Sequence, residues 1–390
     1  MTKLIDVEAD VLIVGAGLVG LSAAVAFATQ GKNVVLVDAK PVMNQKAQAW
    51  DERIYALTPA TEAWLESLGI WQDVDLTRIC PIDAMHVWHE DEALVLSSND
   101  AHLPKLGVII ENKNLMAALW QKVNALDVTV ITEVNCVELE NTQQAVTLSL
   151  DNHQQVSAKL LLAADGIHSW VRQQANIEVK HKDFHQIAIV ANFSTEKSHR
   201  NMARQWFATH ETLALLPLVG QNVSLVWSVS TGKASELLKL SSQELAVAVQ
   251  KQSERVLGDL KPIGKTLSFA LHSKIATQFV AERLVLVGDA AHQIHPMAGQ
   301  GVNLGFRDVM QLASSATKLH QMQDLGDATF LRQYARAIKA DTLAMNTLTS
   351  GLDALFATDS RVFKQLTNWG LRQLNHQAGV KKLLIQQVAA

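Results

Sequence analysis

Two cysteines, Cys80 and Cys136, are all that the chain holds. Two isolated thiols exclude a disulfide framework and a Cys-rich zinc module, and they suit a reducing compartment. Tyrosine is as scarce: Tyr55 and Tyr334 stand against nine tryptophans. Chemistry that needs a phenolic side chain has only those two to draw on. A basic surplus is missing too. Lys and Arg number 34 against 38 Asp and Glu, a formal net charge of −4. That balance argues against a general nucleic-acid binder. Charged residues make up only 18% and hydrophobic ones 48%, which excludes a disordered chain and a charged coiled coil. The 390 residues leave room for one to three domains of about 150 residues each.

What is present begins with Val11 to Ala28 (VLIVGAGLVGLSAAVAFA), eighteen residues without a charge. A membrane span and a signal peptide both compete for this segment. Asp6, Glu8 and Asp10 precede it, where a signal peptide wants positive charge. Its first part is β-branched and its second rich in Ala and Leu, so propensity switches at the glycines. The segment therefore reads as a buried strand, a tight turn and a buried helix. A second strand, Asn33 to Val37, follows and ends on Asp38. No other stretch is apolar enough to span a bilayer. The expectation is a soluble, unexported, cytoplasmic protein.

Gly15-x-Gly17-x-x-Gly20 closes the first strand and opens the helix. The first glycine permits the turn, the second lets a pyrophosphate approach the backbone, and the third lets helix and strand pack closely. The helix start offers free N–H groups and partial positive charge to phosphates. Asp38, 18 residues beyond Gly20, can bind ribose hydroxyls. This pattern predicts a dinucleotide site without separating NAD from FAD.

Further on, Thr58 to Leu68 reads as a helix with Thr58 as N-cap and Pro59 at the first position. Met85 to Val95 reads as two short strands, and Lys113 to Ala125 as a helix. Alternating runs near 128–131, 134–139 and 145–150 read as one β-meander. From about 183 to 272 the runs Gln186–Phe193, Leu213–Leu218 and Val223–Val229 read as strands. Ser241–Leu257 reads as one helix, capped by Ser241 or Ser242. This looks like an antiparallel layer inserted into the first domain. Residues 301–390 read as largely helical.

Asp165-Gly166-Ile167-His168-Ser169-Trp170-Val171-Arg172 and Gly288-Asp289-Ala290-Ala291-His292-Gln293-Ile294-His295-Pro296 each follow a buried strand. Both place an acid at the carboxyl end of a strand, where ligands of open α/β sheets bind. Gly299-Gln300-Gly301-Val302-Asn303 then leads into a helix whose N–H groups can face developing negative charge. His292 and His295 could be read as a metal pair, but no Asp, Glu or Cys stands at ligand spacing. The expectation is no metal and a structural His292.

These elements in this order resemble the class A FAD-dependent aromatic monooxygenases, the para-hydroxybenzoate hydroxylase group, over about residues 5–350. Within that group the chain is most similar to the ubiquinone (coenzyme Q) ring hydroxylases, through Asp51–Leu57 (DERIYAL), Ile110-Glu111-Asn112 and Leu216-Pro217-Leu218 as well. The resemblance implies an α/β fold: a Rossmann-like FAD-binding domain of GR2 type, an inserted antiparallel-sheet substrate domain, and C-terminal helices. The expected division is 1–75, 100–178 and 273–345 for FAD, 76–99 and 179–272 for substrate, and 346–390 as a C-terminal helical region. Gly15, Gly17, Gly20 and Asp38 would hold the ADP half of FAD. Arg53 and Asn112 would reach the pyrophosphate and ribityl region, and Gly288 and Asp289 the ribityl chain. Asp165 and Arg172 would belong to the signature tied to NAD(P)H use. Pro296, Gly299, Gly301, Val302 and Asn303 would border the flavin ring, with His295, Pro296 and Gln300 at the catalytic face.

The resemblance implies reduction of FAD by NAD(P)H and transfer of OH from a C4a-hydroperoxide to an electron-rich ring, with water excluded. Neither tyrosine looks placed to activate a phenol. The expected substrate is a polyprenylated phenol or quinol in an apolar pocket, with Leu216, Pro217 and Leu218 on one wall. Another monooxygenase acting on a small aromatic, a reductase on the same fold and a flavin-binding scaffold remain alternatives. A halogenase would want a WxWxIP-type motif, which the sequence lacks. The tail from about Thr367 to Val388 has two readings. Trp369, Leu371, Leu374, Leu383, Leu384 and Ile385, with Arg372, Lys381 and Lys382, could meet the inner face of the cytoplasmic membrane or other ubiquinone-biosynthesis proteins. The same residues could instead pack on the flavin domain. Oligomeric state is open.

Overall fold

A computed structural model describes residues 6–42, 50–89, 92–294, 301–319, 323–356, 375 and 377–389. Three sheets organise them. The first holds β1 (Asp6–Val14), β2 (Val34–Asp38), β8 (Val128–Thr132), β9 (Cys136–Asn141), β10 (Val146–Leu150), β11 (Gln155–Ala163), β17 (Val280–Ala281) and β18 (Leu284–Leu286). Its spine runs β17-β18-β11-β1-β2-β8, and the neighbours from β18 to β8 are parallel. Parallel strands are covered on both faces, so Val11–Val14 and Val34–Val37 are unbroken apolar runs, all buried. The outer side of β11 changes partner halfway. Its first half pairs with β10 and its last three residues with β18, Leu161 facing Leu284.

The segment at 128–131 departs from the expected meander. β8 lies parallel to β2 at the far edge, while β9 and β10 form an antiparallel pair on β11. Alternation marks a strand but not its partner. β8 follows helix α3 (Asn112–Asn124), and a helical crossover returns the chain parallel.

The second sheet has the order β19-β16-β12-β15-β14-β13-β5-β6. It contains β5 (Ala84–His89), β6 (Glu92–Ser97), β12 (Val179–Thr195), β13 (Met202–Ala208), β14 (Glu211–Leu218), β15 (Asn222–Ser230), β16 (Leu260–Ala276) and β19 (His292–Gln293). One face packs on α5 (Thr231–Leu237) and α6 (Ser242–Gln252), with Ile189, Phe193, Trp206, Leu213, Leu225 and Trp227 in that core. The capping box at the start of α6 pairs Ser241 with Glu244. The helix ends at Gln252 rather than Leu257, because Glu254 and Arg255 take φ of 52° and 53°. A small third sheet, β3 (Ile54–Leu57), β7 (Gly107–Glu111) and β4 (Cys80–Ile82), lies against the opposite face of the second. Ile54, Ala56 and Ile109 there meet Leu216, Leu218 and Ala203.

The remaining helices are α1 (Leu18–Ala28), α2 (Pro59–Ser67), α4 (Trp170–Gln174), α7 (Gly301–Ala316), α8 (Ala328–Phe356) and α9 (Ala378–Ala389). Thr58 caps α2 by accepting the Thr61 N–H, with Pro59 in the first turn. The tail docks on the second sheet. Asn375 donates to Ala93 O and accepts from Val95 N–H along β6, Ile385 is buried, and Lys381 lies 3.9 Å from Asp100. Trp369, Leu371, Arg372 and Leu374 lie outside the described residues. No helix among the described residues is long and apolar enough to cross a membrane.

Candidate active site

The parallel strands end side by side, and their ladder continues one step past their ends. Gly15 N–H donates to Val37 O (2.8 Å), Ala164 N–H to Val14 O (2.8 Å) and Val287 N–H to Ala163 O (3.0 Å). Gly15, Asp165 and Gly288–Asp289 are thus aligned where the strand order reverses between β1 and β11. That is the position at which open α/β sheets bind ligands.

The residues here fit a dinucleotide. Gly15 has φ +108°, and a Cβ on it would lie 2.4 Å from Ala164 O. A Cβ on Gly20 would lie 1.8 Å from Gly15 O, so α1 can approach β1 only with glycine there. A Cβ on Gly17, by contrast, would meet nothing within 4 Å. Gly17 also caps α1 without any side-chain hydrogen bond, which leaves the first N–H groups for an anion. Asp38 is held by the Ala16 N–H on Oδ2 and the Lys40 N–H on Oδ1. Asp165 accepts the Val171 N–H on Oδ2, while its buried Oδ1 has no hydrogen-bond partner among the described residues. Burial raises the Asp165 pKa, against hydrogen bonds from Ser169 and nearby N–H groups. An orphaned acceptor beside an uncapped helix start suits a ligand that carries both hydroxyls and phosphates.

Arg172 is buried. It ties the two acid-bearing turns together, donating from Nη1 to Ala290 O (2.8 Å) and from Nη2 to Ile167 O (3.0 Å). Asp308 of α7 braces the second turn. It accepts the Gly288 N–H at 2.8 Å and meets His292 Nε2 at 2.8 Å, with both side chains fully buried. The Asp289 carboxylate is open to solvent yet crowded by protein, as a group lining a cleft must be. That crowding raises its pKa, and the positive charge of His292 and Arg53 offsets part of the rise.

Two segments far apart in sequence meet beside it. β3 and β7 pair with Ile54 facing Glu111, which brings Arg53, Tyr55 and Asn112 together. Tyr55 O–H donates to Asn112 Oδ1 at 3.5 Å. Burial raises the Tyr55 pKa and Arg53 opposes it. The exposed Arg53 guanidinium lies 5.5 Å from the Phe269 ring centre. Asp51 accepts the Arg53 and Lys113 N–H groups, and Glu111 is clamped by Arg78 and by the Asp51 N–H.

Asn303 stands in the first turn of α7. Its side chain donates to Ala56 O (2.8 Å) and accepts from Thr58 N–H and Thr61 O–H, which pins the first turn of α7 to β3 and α2. Gly301 and Val302 start that helix. His295, Pro296, Gly299 and Gln300 lie outside the described residues.

The expected single wall of Leu216, Pro217 and Leu218 is corrected by strand alternation. Leu213 and Leu215 face the helix-covered core. Leu216 and Leu218 therefore face the third sheet, while Pro217 points the other way. Sequence reading missed Asp308, Asn192 and Ser224. Only the partner of His292, 16 residues on, and the register of β12 with β15 reveal them.

A family described as an FAD binding domain matches residues 8–341. The ubiquinone hydroxylase UbiL of Rhodospirillum rubrum is 32% identical over 98% of this chain and 89% of its own length. The 3-demethoxyubiquinol 3-hydroxylase of Escherichia coli is 33% identical over 89% of each chain. Among solved structures, p-nitrophenol 4-monooxygenase PnpA from Pseudomonas putida superposes with a TM-score of 0.80 at 17% identity, covering 98% of both chains. That likeness is one of fold.

Proposed function

The chain belongs to the FAD-binding family, among its ubiquinone hydroxylases, and from that membership we propose that it is an FAD-dependent, NAD(P)H-using monooxygenase that hydroxylates the aromatic ring of a polyprenylated ubiquinone precursor. The observation that carries the reading is one alignment. Two acid-bearing strand ends, an uncapped helix start and the first turn of α7 meet at one edge of the parallel sheet.

Bound flavin supplies hydride acceptance from NAD(P)H and activation of oxygen. The chain supplies the rest. Gly15, Gly17 and Gly20 with the α1 N–H groups hold the pyrophosphate, and Asp38 the adenosine ribose. Asp289, Arg53 and Asn112 hold the ribityl side, with Asp165 and Arg172 between the two halves. The start of α7, at Gly301 and Val302, directs its dipole at negative charge on the ring. The second sheet is the substrate module, and its face toward the third sheet presents the apolar Leu216. The outward side of α9 leaves Val380 and Leu383 exposed beside Lys382, which supports peripheral contact with the inner membrane face.

The test is direct. Purified protein with FAD, NADPH or NADH and a short-chain precursor phenol should yield a product heavier by one oxygen, seen by mass spectrometry. Consumption of the nicotinamide with no oxygenated product from any precursor would overturn the reading.

A further inference from the structure

Strand alternation turns Ala188, Val190, Ala214 and Val226 away from α5 and α6, toward the face of the second sheet on which the third sheet lies. Within this small apolar patch two polar residues face each other across β12 and β15: Asn192 and Ser224. Both are sealed from water, at 1% and 0% exposure. Asn192 Nδ2 donates to Asp51 O at 3.2 Å. A carbonyl can only accept, so the nitrogen must face Asp51, and this fixes where the amide oxygen lies. Among the described residues that Oδ1 has no hydrogen-bond partner, and neither has Ser224 Oγ. A buried acceptor left without a donor costs about 1–3 kcal/mol. Two such groups in register, in the continuous β12–β15 pairing, mark a place where a ligand group completes the structure.

We propose that Asn192 and Ser224 receive a ring oxygen of the aromatic substrate. Asn192 Oδ1 accepts the hydrogen of a phenol or quinol hydroxyl, and Ser224 Oγ–H donates to the same oxygen. A hydroxyl offers one donor and two lone pairs, which matches this pair. Leu216, directly opposite Ser224 on β14 and half-buried, is the side chain that turns aside as the ring enters. The pair fixes which ring carbon faces the flavin. It also does so without tyrosine, because both tyrosines are engaged elsewhere. Tyr55 bonds Asn112, and Tyr334 is buried against Leu286 O at 3.3 Å.

This inference rests on the hydroxylase reading above. Its test uses the FAD-loaded protein and two probes, a short-chain 2-alkylphenol and its methyl ether. Dissociation constants are read from the change in flavin absorbance. Wild-type protein should bind the phenol about tenfold more tightly than the ether, the ratio one hydrogen bond commands. Asn192→Leu should bring that ratio close to one, because only its Oδ1 reads the phenol hydrogen, and Ser224→Ala should weaken phenol and ether alike by about tenfold, each with FAD content unchanged and more NADPH diverted to peroxide. If Asn192→Leu fails to hold FAD, Ser224→Ala decides, since it leaves the Asp51 contact intact. A wild-type enzyme that hydroxylates the phenol while Asn192→Leu keeps the wild-type ratio and Ser224→Ala keeps the wild-type affinities overturns the pair alone. A wild-type enzyme that neither binds nor hydroxylates the phenol overturns the pair and the hydroxylase reading together.

Discussion

His292 and Asp308 form an ion pair sealed from solvent, Nε2 to Oδ2 2.8 Å, and the same carboxylate receives the Gly288 N–H. Burial pulls the His292 pKa down, but the charge and hydrogen bond of Asp308 outweigh it and raise it. The sign follows. A histidine whose folded pKa exceeds its unfolded value, about 6.5, stabilises fully below that value. The contribution is lost as pH rises through the folded pKa. Asp308→Ala should cost about 3–5 kcal/mol, since it leaves a buried charge unpaired. The stability gap between wild type and His292→Gln, measured by denaturant titration of apoprotein, should shrink as pH rises past that range. A gap that widens with pH would contradict the assignment.

Asp289 separates binding from folding. Its carboxylate lines the cleft and makes no hydrogen bond to another described residue, whereas His292 is locked in the interior. Asp289→Ala should lower FAD affinity by about 1.5–3 kcal/mol, the value of a charge-assisted hydrogen bond, with the apoprotein Tm nearly unchanged. His292→Ala should do the reverse: a large loss of Tm and a smaller loss of FAD per folded molecule. Fluorescence titration and thermal melts decide. Equal FAD affinity in the two would show the roles to be wrong.

The glycines divide in the same way. Gly20→Ala brings a Cβ to 1.8 Å from Gly15 O and should unfold or severely destabilise the chain. Gly17→Ala meets nothing within 4 Å. It should fold with a normal circular-dichroism melt and lose FAD, because the methyl occupies the space a pyrophosphate needs. A Gly17→Ala protein that purifies yellow would sink this account.

The two thiols should be inert. Burial is the main cause that pushes Cys80 up to about 11 and Cys136 up to about 12, with nearby carboxylates adding to it. At pH 8 only on the order of a thousandth of Cys80 is thiolate, and Cys136 less. Iodoacetamide at pH 8 should label native protein far more slowly than urea-unfolded protein, followed by intact mass. Fast labelling of the native form would refute the burial argument.

Much of this was legible in sequence where the cause is local. The β1–α1–β2 unit follows from three glycines and a switch in propensity within one segment. Thr58-Pro59 and Ser241 with Glu244 mark helix starts by chemistry confined to four residues. What depends on distant partners was not legible. β16 runs 17 residues but breaks its alternation at a register shift beside Gly264, whose φ is +77°, so no period-2 signal survives. Asn303 reads as a ring-border residue from its motif, and only Ala56, Thr58 and Thr61 show where its side chain goes. Asn192 and Ser224 look like ordinary strand residues until the register sets them opposite each other.

The divided outer side of β11 has a consequence for how the protein is made. Leu161 finds its partner in Leu284, and α7 begins only at Gly301. A nascent chain therefore carries Gly15 and Asp38 through most of its synthesis without the strand and helix that complete their ligand site. At about 5–20 residues per second, the interval between translating Asp38 and Gly301 is roughly 13–53 s. Flavin capture thus waits until β18 and α7 have been made. An expression host short of FAD should accumulate full-length apoprotein that the free cofactor can still load after lysis, rather than truncated or co-translationally degraded chains.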